Sequence, residues 1–173
     1  ALGTTEGMDK SQSAVRATPQ YTEHYYLLRK ARPAPSAKGT RIGAPMRWRD
    51  AGELPLCLLS AEMHNRTIID RAFAEAGVNP QPAIETNSIS TLALSVRAGK
   101  VCSIMPGALV DDVQGHDDIE ALPLVEPKVE IRIAFMVHDT NRPSRTLEAA
   151  LAFAEDPAWK GEVSGHAGAL QQP

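Results

Sequence analysis

The stretch LPLCLLSAEMHNRTIIDRAFAEAGVNPQPAIETNSISTLALSVRAGKVCSIMPGALV, residues 54–110, repeats one unit: an apolar strand, a polar loop, an amphipathic helix and a glycine stop. LPLCLL reads as a buried strand. After the loop SAEMHNR, the run IIDRAFAEAG sets Ile68, Ile69, Ala72, Phe73 and Ala76 on one helical face and ends at Gly77. PAIET follows as a second strand. Asn87 and Ser88 then offer side-chain oxygens to the free amides of a helix whose Ile89, Leu92, Ala93 and Val96 share a face. Gly99 stops that helix, and VCSIM reads as a third buried strand closed by Pro106. Strands separated by helical crossovers of this length must run parallel, so the stretch predicts a parallel α/β sheet.

Outward from this centre the pattern changes. ALG at the start reads as the tail of a strand and GTTEGMDKSQS as a polar loop, so an N-terminal portion is expected to be missing. EHYYLLRKA, residues 23–31, is strand-like by its aromatic and aliphatic content. Residues 32–52 are irregular, broken by Pro33, Pro35, Gly39, Gly43 and Pro45. A turn at 115–118 leads to IEALPLVEP, an edge-like strand with prolines. Val129, Ile131, Ile133, Phe135 and Val137 alternate with their neighbours as in a half-buried strand, one that is able to run antiparallel. Asn141 and Pro143 open a last helix with Leu147, Ala150, Leu151 and Ala154 on one stripe, ending near Asp156 and Pro157. The tail from Gly161 is expected to be frayed.

With 173 residues and 43% apolar content the chain can bury a real core. A net charge of -3 gives no basic field for nucleic acid within this chain. The two cysteines, Cys57 and Cys102, sit in apolar strands and read as reduced, structural thiols. No stretch is long enough to span a bilayer and no signal-like start appears, so a cytoplasmic location is the simplest expectation.

In open α/β sheets ligands bind beyond the carboxyl ends of the strands, which singles out three loops. Thr86, Asn87, Ser88, Ile89 and Ser90 lie at a strand end and helix start, where free amides and the positive helix end attract an anionic group; plain helix capping uses the same turn. Ser60, Met63, His64 and Arg66 belong to the neighbouring loop. Arg66 suits a bidentate contact to an anion, yet Asp70 four residues on competes for it as an ordinary helix-surface pair. Met105, with Pro106, closes the third strand beside the same crevice, where core packing is the competing role. His64 with Glu62 is too little for a metal, because the other histidines are scattered. No GxSxG, GxxxxGKS or GxGxxG motif supports a nucleophile, a phosphate loop or a dinucleotide site, so neither catalysis nor a cofactor is expected.

The order of EHYYLLRKA, WRDAGELPLCLLS, NRTIIDRAFAEAG, TNSISTLALSVRAG, IMP and VEIRIAFMVHDTNRPSRTLEAALAF resembles the effector-binding half of LysR-type transcriptional regulators over roughly residues 1–159. That resemblance implies an α/β, type 2 periplasmic-binding-protein-like fold, with one complete Rossmann-like lobe and a remnant of the second. It implies the end of lobe one and a first crossover strand at 1–31 and lobe two at 32–127. A return crossover and the C-terminal helix of lobe one follow at 128–160, then a flexible tail at 161–173. It also implies that the loops around Ser60 and Ser88 border a cleft for a small, anionic metabolite, with no enzymatic role. Further implied are a homodimer or homotetramer, in which effector regions pair antiparallel with the first helix and following strand of lobe two, here 65–76 and 81–86, meeting the equivalent region of lobe one in a second subunit, and DNA contact through a winged helix-turn-helix absent from this chain. A solute-binding protein of the same fold is the alternative, and a small α/β enzyme a third class without a catalytic constellation.

Overall fold

The computed structural model describes residues 2–4, 15–31, 41–112, 118–138 and 144–166. In chain order these form β1 (Leu2–Thr4), β2 (Val15–Glu23), β3 (Tyr25–Lys30), β4 (Arg41–Ile42), β5 (Met46–Arg47), α1 (Trp48–Ala51), β6 (Leu56–Leu59) and α2 (His64–Glu75). Then follow β7 (Ile84–Thr86), α3 (Ile89–Arg97), β8 (Cys102–Pro106), α4 (Gly107–Asp112), β9 (Ile119–Val125), β10 (Ile131–His138), α5 (Arg145–Glu155) and α6 (Pro157–His166). The turn expected at 115–118 and the helix start expected at Asn141 and Pro143 fall mostly or wholly outside the described residues.

The larger sheet has the order β4-β9-β3-β8-β6-β7, with β5 also paired to β9. Strands β8, β6 and β7 run parallel, as the strand and helix alternation requires. The apolar runs of this sheet serve two cores at once. Leu56 and Leu58 of β6, with Tyr25 and Leu27 of β3, point into the cluster that includes Ile69, Phe73 and Trp48. Cys57 and Leu59, with Tyr26 and Leu28, point into the cluster under Leu92 and Val96. A strand covered on both faces has no position for a polar residue, which is why LCLL reads as a continuous apolar run. In α3, Leu92, Ala93 and Val96 are buried, but Ile89 at the first turn is exposed, contrary to the expected stripe. Both helices stop where expected: Gly77 and Gly99 have φ of +75° and +78°, and a Cβ on Gly99 would lie 2.6 Å from Lys30 Cδ.

The smaller sheet has the order β1-β10-β2, antiparallel throughout. Strand β2, not expected from the sequence, passes into β3 of the larger sheet across the single residue His24. Its inward positions are polar: Thr18, Gln20 and Glu23 are buried. Gln20 is held by its side-chain donation to the Ala154 carbonyl at 3.0 Å and by the Trp159 indole donating to it at 2.9 Å. In β10 a register shift between Ile133 and Ala134 breaks the alternation, so that both are buried.

Two further expectations are corrected. Strand β9 is no edge: it pairs with β3 on one side and with β4 and β5 on the other. Pro123 is accommodated because the neighbouring strand is itself interrupted between Ile42 and Met46, leaving Pro123 between the two short pairings. The segment from Gly161 to His166 is helical, as the end of α6, which Trp159 ties to β2 and to Phe153 through a ring contact at 4.6 Å. In α5 the capping oxygen is that of Ser144, accepting from the Leu147 amide, and Asp156 ends the helix.

Candidate functional site

Parallel pairing of β6 with β7 and β8 puts their carboxyl ends on one edge of the larger sheet. Ser60 N–H donates to the Thr86 carbonyl at 2.9 Å, adding one rung beyond β6 and β7 and fixing the two loops to each other. The Ser60 carbonyl accepts from Met63 N–H at 3.0 Å, so residues 60–63 fold into a turn that delivers His64 to the start of α2. His64 is exposed there, and Met63 is half-buried on the cluster beneath α3. At the second loop, Thr86 Oγ1 accepts from Ser88 N–H at 3.1 Å, and Ser88 Oγ accepts from Thr91 N–H at 3.3 Å. Ser88 is therefore the cap of α3, while Asn87 is exposed and caps nothing. The amides of Ile89 and Ser90, in the first turn, have no intrahelical carbonyl to bond, and both residues are exposed. Eight of the expected residues (Ser60, Met63, His64, Thr86, Asn87, Ser88, Ile89 and Ser90) thus lie at one edge.

Arg66 is placed differently. It is 8% exposed; its Nε donates to Asp70 Oδ1 at 2.8 Å, and its Nη1 donates to the Leu59 carbonyl at 2.8 Å and to Glu85 Oε1. Burial works against the charge of Arg66, but the bonds to Glu85 and Asp70 outweigh it and hold the guanidinium ionised. The side chain ties α2 to the ends of β6 and β7, so the helix-surface pair with Asp70 is one part of a larger anchor rather than an open anion clamp. Met105 is 2% exposed, packed in the core with Cys57 and Leu59 and paired in register with Tyr26. Its role is packing beneath the edge.

One residue was not anticipated. Glu23 ends β2 at the same edge, since Tyr25 of β3 pairs with Pro106 at the end of β8. Its Oε1 accepts from Ala108 N–H at 3.4 Å, while the adjacent His24 carbonyl accepts from Gly107 N–H at 2.9 Å. Burial pushes the Glu23 carboxyl above its ordinary value, and the Ala108 amide offsets part of that rise. An acid inside the run TEHYYLL was the available sequence signal. Both cysteines are free, and burial pushes both thiols up, keeping them protonated. Among the described residues no three His, Cys, Asp or Glu side chains gather as a metal site, and no helix is long and apolar enough to cross a membrane.

An α/β chain whose parallel strands end at one edge, joined to a second antiparallel sheet, has the architecture of the two-lobed type 2 periplasmic-binding-protein fold. Residues 5–158 match the LysR substrate binding domain, and the chain belongs to that family. Among similar solved structures, the Corynebacterium glutamicum OxyR C206 mutant aligns at a TM-score of 0.67 and 14% identity, covering 95% of this chain and 49% of that one. The effector binding domain of QuiR in complex with shikimate aligns at 0.62 and 19% identity, covering 89% of this chain and 68% of that one. The regulatory domain of Synechocystis PCC6803 CcmR in complex with 2-PG aligns at 0.66 and 11% identity, covering 88% and 70%. The chain therefore spans about half the length of the OxyR chain it matches.

Proposed function

We propose that this chain is the ligand-sensing part of a bacterial LysR-type transcriptional regulator, acting in the cytoplasm without catalysis. A small metabolite with an anionic group would bind at the edge formed by residues 60–64 and 86–90. Supporting this reading above all is the Ser60 to Thr86 hydrogen bond, which holds the two strand-end loops together beside the first turn of α3, whose amides have no intrahelical partner. With Arg66 committed to Glu85, Asp70 and Leu59, the positive helix end and the hydroxyls of Ser60, Thr86 and Ser88 are the attraction offered to an anion.

Residues 32–127 would form lobe two, and residues 1–31 and 128–160 would supply the end of lobe one and its two crossovers. A ligand between the lobes would favour one relative orientation, and an oligomer would pass that change to DNA-binding heads elsewhere in the full-length protein. Two subunits would pair antiparallel, α2 and β7 of one meeting the equivalent helix and strand of lobe one in the other, on the face that leaves Asp70 and Ala74 exposed.

Ser88→Asp tests the ligand assignment without dismantling the turn. Aspartate caps a helix as well as serine does, and its charge favours the positive helix end by roughly 0.3–1 kcal/mol. The variant should therefore fold at least as stably as the native chain and yet repel an anion. With shikimate and inorganic phosphate as first probes, a probe that binds the native protein should lose about tenfold or more in affinity. Unchanged affinity would remove the site from this turn.

A further inference from the structure

Helix α6 joins the two sheets outside the chain crossovers. Asp156 Oδ1 accepts from Ala158 N–H at 2.7 Å and Pro157 takes the first helical position, which fixes the start of the helix beside the end of α5. Trp159 ties it to the smaller sheet, its indole donating to Gln20 of β2 at 2.9 Å and its ring meeting Phe153. The same helix also lies against α4. That short helix belongs to the larger sheet, since it packs on β3 and β8 and buries Val110, with Leu109, in the cluster beneath α3. The family match ends at 158, so from Trp159 onward α6 lies outside it.

The start of α4 is already held at the end of β2, where the His24 carbonyl accepts from Gly107 N–H at 2.9 Å and Glu23 Oε1 accepts from Ala108 N–H at 3.4 Å. Attachment at one place fixes a position and leaves rotation about it free. A second attachment, through another element, opposes that rotation. Yet α6 is weak by its own sequence. At 10 residues it is too short to persist alone, and Gly161 in its interior costs backbone entropy. A Cβ at Gly161 would meet nothing within 4 Å, so no packing requires glycine there. Trp159 and Val163, one turn apart and both half-buried, are what hold the helix down. A short helix resting on so few contacts opens locally at low cost.

We propose that α6 is a releasable strap across the junction of the two sheets. Docked on β2 and α4, it holds the sheets in one relative orientation; released, it lets the smaller sheet turn about His24, the single residue between β2 and β3. A ligand that works by favouring one orientation then acts on an equilibrium that the strap has already biased. That consequence for sensing rests on the function proposed above, whereas the strap itself does not.

Two substitutions push the strap in opposite directions. Gly161→Ala fills open space with a better helix former and should slow amide exchange in α6 about fivefold. Trp159→Phe keeps a ring beside Phe153 but loses the donation to Gln20, and should speed that exchange about threefold or more. Spin labels at Leu94→Cys in α3 and Ala152→Cys in α5, both exposed, report the distance between the sheets without any ligand, in a Cys102→Ser background with Cys57 left buried. Pulsed electron spin resonance should give one distance in the otherwise native protein and in Gly161→Ala, and a broadened or second distance in Trp159→Phe. Exchange that changes in α6 while the distance stays the same in Trp159→Phe would make the helix ordinary packing and overturn the strap. Unchanged exchange in Trp159→Phe would remove the anchor and overturn it too. Distances that respond as expected in a protein with no anion response would count against the strand-end site alone.

Discussion

Arg66 Nη1 joins Glu85 Oε1 across 19 positions of chain, so one guanidinium ties the first turn of α2 to β7, the strand that follows it. The same nitrogen holds the Leu59 carbonyl, which terminates β6. Replacing Arg66 with leucine keeps the bulk and removes all of these bonds, leaving the Leu59 carbonyl without its partner. Charged hydrogen bonds of this kind contribute about 1.5–3 kcal/mol each where buried. Asp70 and Glu85 are about half exposed, which lowers their share, so a total loss of roughly 1–3 kcal/mol is expected for Arg66→Leu. Urea unfolding measures it, with Arg71→Gln as an exposed control expected to stay within about 0.5 kcal/mol of native. A neutral Arg66→Leu would show that the anchor does not stabilise the strand-end edge.

Glu23 gives the protein a pH signature. Burial raises its pKa in the folded state above the unfolded value, so the folded protein holds the proton more tightly. That contribution is fully present below the unfolded value of about 4.3 and is lost as pH rises through the folded one. Glu23→Gln carries a neutral group at every pH. Its thermal midpoint should exceed that of the native protein at pH 7, and the gap should close toward pH 4. A gap that widens on acidification would mean that the carboxylate, not the acid, is the form held in the fold.

Pairing of subunits through α2 predicts that Ala74, exposed and off the core stripe, faces a partner. A bulky charge there has no effect on folding but cannot be buried in a two-fold contact without a counter-ion. Ala74→Arg should lower the sedimentation coefficient of the full-length protein toward that of a smaller oligomer while leaving its circular dichroism unchanged. An unaltered oligomer would move the interface elsewhere.

The parts legible in the sequence were those where burial alone sets the pattern. LCLL, the Ile68 to Phe73 stripe and the glycines at 77 and 99 each follow from apolar spacing or from a backbone angle that favours glycine. Strand β2 escaped because its buried positions are Thr18, Gln20 and Glu23, made tolerable by hydrogen bonds from distant residues that no local pattern contains. Helix α6 escaped for a related reason: its composition is weak, and Trp159 fixes it through Gln20 and Phe153. At the site, strand-end loops were readable from the fold rule, but the fate of Arg66 was not. Asp70 was visible as a helix neighbour, whereas Glu85 and the Leu59 carbonyl became its partners only through sheet pairing.

The central claim, that a small anion is sensed where the Ser60 and Thr86 loops meet, is tested most directly by locating a ligand residue by residue. A panel of small carboxylates and phosphates is screened for thermal stabilisation of the protein, and each compound that stabilises it is titrated into ¹⁵N-labelled material. The largest amide shifts should fall at Ser60, His64 and residues 86–90, and be abolished in Ser88→Asp. Stabilising anions whose shifts fall on other surfaces, or a panel in which no anion stabilises the protein, would contradict it.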